Sequence, residues 1–166
     1  MPVKKFKETF ILSARTSLDL FKIIIPVSIL VKVLQETGFI SVISELLSPA
    51  MGLVGLPGVL AVVWATVMFA NIYAGVLVFA SLSAGLTLTV AQVSILGGMI
   101  LLAHSLPVEV SVASKAGVRV WFTLLLRIGG ALLYGWLLFQ LYSFTGWHSE
   151  EASVFFLEAP ADPTLS

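Results

Sequence analysis

Residues 58–82 read GVLAVVWATVMFANIYAGVLVFASL, 25 residues without a charge. At about 1.5 Å per residue, a helix of that length reaches across a hydrocarbon layer roughly 30 Å thick. The middle of the stretch argues against a plain span. Asn71 needs hydrogen-bonding partners when buried and Gly75 weakens a helix, and both fall within the segment Ala70-Asn71-Ile72-Tyr73-Ala74-Gly75. Two architectures follow. Either the stretch is one tilted helix with a polar notch, or it is a re-entrant hairpin of two half-helices whose tip is residues 71–75.

The uncharged region extends both ways from there. Between Glu45 and Glu109 lie 63 residues without Asp, Glu, Lys or Arg. As helix that length would cross a bilayer about three times, so it must fold back on itself. Pro49, Gly52, Gly55, Pro57 and Gly58 interrupt it early, Gly85 in the middle and Pro107 late. Over all 166 residues 58% are hydrophobic and 11% charged, against about 25% charged in soluble domains. Nine basic and nine acidic side chains cannot clothe a water-facing exterior. The composition implies an all-α integral membrane protein.

The same counts exclude other classes. Without cysteine there is no disulfide framework, thiolate metal site or cysteine nucleophile. The two aspartates, Asp19 and Asp162, lie near opposite ends of the chain and cannot form the paired membrane-facing carboxylates of lipid-linked phosphotransferases. Net charge is zero, so nothing global recruits nucleic acid. No set of nucleophile, base and oxyanion donors is visible, so neither an enzyme, a cofactor nor a metal site is expected.

Further out the chain divides into three. Over 1–22, Lys4, Lys5, Glu8, Arg15, Asp19 and Lys22 share one helical arc, and Phe6, Phe10, Ile11, Ala14 and Phe21 lie opposite. This predicts an amphipathic helix lying in the membrane interface. Residues 23–145 form a transmembrane domain of about four to five hydrophobic segments with broken or re-entrant helices. The first, 23–47, is interrupted by Pro26 and Gly38 and carries Ser28, Lys32, Gln35 and Glu36 on one side, with Lys32 and Glu36 spaced as an i, i+4 ion pair. The run 90–106 contains Gln92, Ser94, Gly97 and Gly98 and ends in Ala103-His104-Ser105-Leu106-Pro107-Val108-Glu109. Pro107 breaks the helix there and frees carbonyls near Ala103. The last span, 120–144, includes Arg127, which we group with Lys115 and Arg119 as marking the cytoplasmic boundary. Residues 146–166 read as an acidic soluble tail with a short helix around Phe155 and Phe156.

Basic residues cluster at the N-terminus and at 115–127, and cytoplasmic flanks are rich in Lys and Arg. Both clusters are cytoplasmic only if an even number of crossings separates them. A re-entrant 58–82 makes that number two and puts the N-terminus in the cytoplasm; a crossing 58–82 makes it three.

The order of these features resembles the Gate, or nucleoside-recognition, domain. The resemblance rests on Leu-Ser-Pro-x-Met-x-x-x-Gly-Leu-Pro-Gly over residues 47–58, on Asn-x-x-Ala-Gly at 71–75, and on His-Ser-Leu-Pro-Val-Glu at 104–109 followed by Lys-Ala-Gly at 115–117. It covers roughly residues 10–145 and is similar to spore maturation proteins A and B and to the Gate segments of concentrative nucleoside transporters and ferrous-iron transporter B. It implies a multi-pass protein of the bacterial cytoplasmic (inner) membrane, of permease type, with discontinuous helices. The missing cysteine departs from the iron-transporter pattern. Full transporters contain repeated halves, so a single unit implies a homodimer or a pair with a sister Gate protein.

The expected site lies where the breaks at 71–75 and 104–109 meet in a polar cavity. Asn71, Tyr73, Gln92, His104, Ser105 and Glu109 are its candidate substrate-binding residues. Glu109 supplies negative charge, His104 titrates between pH 5 and 8, and the neutral groups orient a small polar solute. The expected function is a permease subunit for a small polar solute or ion, surrounded by membrane lipid. The alternative is a non-transporting membrane scaffold or regulatory subunit, with His104 and Glu109 merely at headgroup level.

Overall fold

A computed structural model of the chain describes residues 36–83 and 85–152, with Leu18, Lys22, Ile25, Pro26, Ile29 and Val33 as single helical positions ahead of them. Apart from Leu18 and Lys22, the interfacial helix expected over 1–22 lies outside the described residues, as do Lys32 and the tail beyond Ala152. The described chain forms α1 (Phe39–Leu53), a 3-10 turn (Gly58–Leu60) running into α2 (Ala61–Phe69), α3 (Ile72–Ser83), α4 (Val90–Leu102), α5 (Leu106–Lys115), α6 (Val120–Leu124), a π-helical turn (Leu125–Gly129) and α7 (Gly130–Thr145).

Helix α1 starts after a break in the segment read as 23–47. Thr37 still donates to Val33 at 3.0 Å, but Gly38 has φ 77°, a left-handed conformation that glycine enters without a Cβ penalty. Pro49, read from the sequence as a break, instead lies inside α1. The helix forgoes one backbone donor there and continues to Gly55 at φ 71°, where Leu56 N–H returns to the Met51 carbonyl at 2.9 Å.

The middle stretch doubles back. In a straight helix Val63 and Gly75 would stand about 18 Å apart. A Cβ built on Gly75 would instead collide with the Val67 side chain and lie 3.5 Å from the Val63 carbonyl. The chain therefore turns at Ala70 and Asn71, and α2 and α3 pack side by side as an antiparallel hairpin. The two arms of 12 residues, Gly58–Phe69 and Ile72–Ser83, are each about 18 Å long, short of the roughly 30 Å needed to cross a bilayer.

Helix α2 is the centre of the bundle. Ala61, Val63, Trp64, Ala65, Thr66, Val67 and Met68 are all buried, so the helix is apolar all round, as an interior helix must be. Helix α1 flanks it antiparallel: Phe39 meets Phe69 edge-to-face at 5.2 Å, and a Cβ on Gly58 would strike the Ser48 hydroxyl. The Trp64 indole N–H is buried without a partner among the described residues.

On the other side α4 and α7 run antiparallel. Gly98 abuts the Tyr134 ring and a Cβ on Gly135 would lie 2.9 Å from the Met99 sulfur, so glycines on both helices permit close approach. The helical stretches Val90–Lys115 and Val120–Thr145, 26 residues each, are long and apolar enough to cross a membrane, and only 28% and 17% of their most apolar windows are buried within the chain. Their exterior, with Leu101, Leu125, Leu133 and Phe144 exposed, needs an apolar covering. The architecture is that of an all-α membrane protein with broken helices.

After α7 the chain straps back over the start of α4. Ala91 N–H donates to the His148 carbonyl at 2.9 Å, Val90 N–H to that of Glu150 at 3.0 Å, and Ala152 N–H to that of Leu88 at 2.8 Å. Thr89 completes the cap: its hydroxyl accepts from Gln92 N–H at 3.2 Å while Gln92 Oε1 accepts from Thr89 N–H at 3.1 Å. Together these occupy donors that a helix N-terminus leaves orphaned. A backbone donor and the neighbouring His148 hold the Glu150 carboxyl below its ordinary value. Removing the hydroxyl acceptor with Thr89→Ala should lower unfolding stability by about 1 kcal/mol, measured by thermal melting in detergent; an unchanged melt would mean the strap alone holds this end.

Candidate functional site

The α4–α5 break is built from the end of one helix and the start of the next. Ala103 leaves helical geometry at φ −134°, and Pro107 sits in the first turn of α5, where its missing donor costs nothing. Between them Ser105 adopts φ 44°, ψ 41°, a left-handed conformation that a non-glycine residue holds only when its surroundings enforce it. What enforces it is the hairpin. Ser105 N–H donates to the Val67 carbonyl at 2.9 Å, and its hydroxyl stands 3.5 Å from the Ala70 carbonyl. The break in 103–105 is thus docked on the turn at Ala70, and the two discontinuities share one level of the bundle.

Beside this joint lies a charged cluster. Glu109, in the first turn of α5, faces His104 Nε2 at 3.4 Å and Arg127 Nη2 at 3.2 Å, both through Oε1. Its other oxygen, Oε2, is buried and has no partner among the described residues. His104 Nδ1 lies 3.2 Å from the Ile100 and Leu101 carbonyls, and Arg127 Nη1 donates to the Leu102 carbonyl at 3.2 Å. Each ring nitrogen of His104 therefore faces an acceptor, and a ring protonated at both can donate to both. The Arg127 guanidinium at the carboxyl end of α4 and the Glu109 carboxylate at the amino end of α5 match the polarity of the two helix dipoles. The carbonyls released near Ala103 are in this way taken up by His104 and Arg127.

The sequence candidates divide in position. Ser105, His104 and Glu109 come together, and the Asn71 turn joins them through Ala70. The Asn71 side chain itself is exposed and caps α3, Oδ1 accepting from Ala74 N–H at 2.9 Å. Tyr73 is 84% exposed and points away from the bundle. Gln92 is 12 residues from His104, about 18 Å along α4. There its Nε2 donates to the Gly55 carbonyl at 3.1 Å, and it lines a separate cavity of about 190 Å³ with Phe139, Tyr142 and Trp147.

Arg127 joins the cluster although the sequence reading placed it at the boundary. A signal was present. It lies seven residues inside an apolar stretch of 26, where an ionisable side chain marks a functional position by default. It also sits in the π-helical turn Leu125–Gly129, a local irregularity common at functional sites.

Residues 17–118 match the family model Gate, described as nucleoside recognition. The chain is also similar to the uncharacterized membrane protein YvoD of Bacillus subtilis (strain 168), with 37% identity over 115 residues. That alignment covers 69% of this chain and 36% of the relative, so the chain spans about a third of that protein's length. No solved structure matches it. The family match runs over more than half of the chain and takes in the positions where this chain breaks, Gly38, Ala70–Asn71 and Ala103–Ser105, so the chain belongs to the Gate family of membrane proteins.

Proposed function

We propose that the chain is a subunit of a permease for a small polar solute or ion in the bacterial cytoplasmic membrane. In this reading α2 and α3 form a re-entrant hairpin and the substrate path passes its tip. The observation that carries the proposal is the docking of Ser105 onto Val67 and Ala70, which joins two helix breaks beside the Glu109 cluster. Ser105 is the sixteenth residue of the 26-residue stretch Val90–Lys115, near mid-depth if that stretch spans. Secondary transporters place their sites at such interrupted helices near the midplane. Exposed Asn71 and Tyr73 at the same level are poorly suited to lipid and well suited to water or a second protein.

A re-entrant hairpin leaves two crossings between the basic groups, which supports a multi-pass topology with a cytoplasmic N-terminus. A second Gate unit, from a homodimer or a sister Gate protein, would supply the paired halves between which such sites lie. The reading includes no catalytic step. A non-transporting scaffold draws support from one observation: the Ile100, Leu101 and Leu102 carbonyls are already occupied from within the chain.

The cysteine-free sequence makes the test direct. Val59→Cys and Thr87→Cys, at the two ends of the hairpin, should react with a membrane-impermeant maleimide from the same face, and Asn71→Cys should react through the aqueous path. Labelling of the two ends from opposite faces would exclude re-entry. An Asn71→Cys thiol inert from both faces would remove the path and leave the scaffold.

A further inference from the structure

We propose that the joint between α4 and α5 is a binding site for a small organic cation bearing N–H donors, an alkylammonium or a guanidinium, and that Arg127 fills it as a tethered stand-in. The inference deepens the permease reading by naming its substrate class, and rests on it. Backbone carbonyls and one carboxylate converge on this joint. Helix α4 ends here with the Leu102 carbonyl directed at the guanidinium, and α2 ends here with the Val67 and Ala70 carbonyls at Ser105. The carboxyl ends of α2 and α4 meet the amino ends of α3 and α5 here, so the helix dipoles offset one another and the preference for a cation comes from a side chain. Glu109 supplies the full charge. Its Oε1 is shared between Arg127 and His104 while buried Oε2 has no partner among the described residues, a shortfall that an incoming donor would remove.

The charged groups facing Glu109 are His104 from the joint and Arg127 from the π-helical turn. Arg127 is held by two polar contacts of 3.2 Å, each from a guanidinium nitrogen to an oxygen acceptor. Its side chain is 37% exposed, so packing does not lock it in place. The turn that carries it supplies a way out. Relaxing a π turn to ordinary helix shifts the register by one residue, about 100° around the axis, and would swing Arg127 off the carboxylate. Gly129 and Gly130 at the end of that turn have no neighbour that a Cβ would meet, leaving space for the change.

A tethered occupant competes with a free one. Calorimetric titration of the full chain in lipid nanodiscs with methylguanidinium should show Glu109-dependent, saturable binding that tightens when the competitor is removed. If Arg127 occupies the site nine-tenths of the time, Arg127→Ala should bind about tenfold more tightly than the unaltered protein. Glu109→Gln should lose the binding. Arg127→Gln serves the same comparison if the alanine variant does not fold. A purely structural Arg127 predicts lower stability with no gain in affinity. The proposal is overturned if neither Arg127 variant binds more tightly than the unaltered protein, if Glu109→Gln binds as well, or if sodium competes as effectively as methylguanidinium. Binding without thiol access at position 71 would keep the cation site and remove the permease path; thiol access without binding would do the reverse.

Discussion

Replacing Glu109 by alanine is expected to destabilise the folded bundle by about 3 kcal/mol, because it removes one partner of a partly buried charge pair and strands the others. Arg127 and His104 both converge on Oε1, and neither has another carboxylate within reach among the described residues. Their remaining contacts are the carbonyls of Ile100, Leu101 and Leu102, which accept hydrogen bonds but carry no full charge. The position of the cluster inside the apolar stretch raises the cost further, since an unpaired cation near the bilayer centre costs roughly 2.5–3.5 kcal/mol on insertion scales. Removing Arg127 as well should recover part of the loss. In a double-mutant cycle read by denaturation in detergent micelles, the coupling between Glu109→Ala and Arg127→Ala should reach about 1–3 kcal/mol. Strictly additive losses would show that the three side chains do not act as a unit.

Gly75→Leu carries the second large expectation, a loss of about 3 kcal/mol from overpacking. Its sign is what makes it informative. In one uninterrupted helix over 58–82, leucine in place of glycine would stabilise by about 1 kcal/mol through helix propensity alone. In the hairpin even a Cβ at position 75 collides with Val67, a fully buried β-branched side chain with few rotamers to retreat into. The added branch would have to push α3 off α2, opening the recess that Gly75 lines with Val63, Phe79 and Leu96. Enlarging that recess by Val67→Ala should return part of the loss in Gly75→Leu. Thermal unfolding of the three variants decides it, and a more stable Gly75→Leu protein would be incompatible with α2 and α3 lying side by side.

Much of the site was readable because breaks are local. Pro107 and Gly38 act through their own backbones, so those interruptions were visible residue by residue, while Asn71 marked a polar notch whose turn only the packing of α3 on α2 decided. Pro49 was misread for the complementary reason. A proline removes only one helical donor, and the packing of α1 along α2, from Phe39–Phe69 to Ser48–Gly58, carries the helix past it. Gln92 and His104 both interrupt the apolar run 90–106, and nothing in their types reveals that they lie at different levels. Arg127 was assigned by analogy with Lys115 and Arg119, although its depth within the span distinguished it.

Composition and local residues by themselves determined that the chain is helical, apolar enough for a membrane and interrupted at Gly38 and near Pro107, because those properties depend on the transfer energies and backbone preferences of short segments. Tertiary structure alone decided what meets at the interruptions. Ser105 reaches Ala70 across 35 positions, Gln92 reaches Gly55 across 37, and Arg127 reaches Leu102 across 25. Such contacts depend on how far each half-helix extends and on which side it turns back, and glycines at 55, 75, 98 and 135 set those approaches by leaving room for a neighbour's side chain.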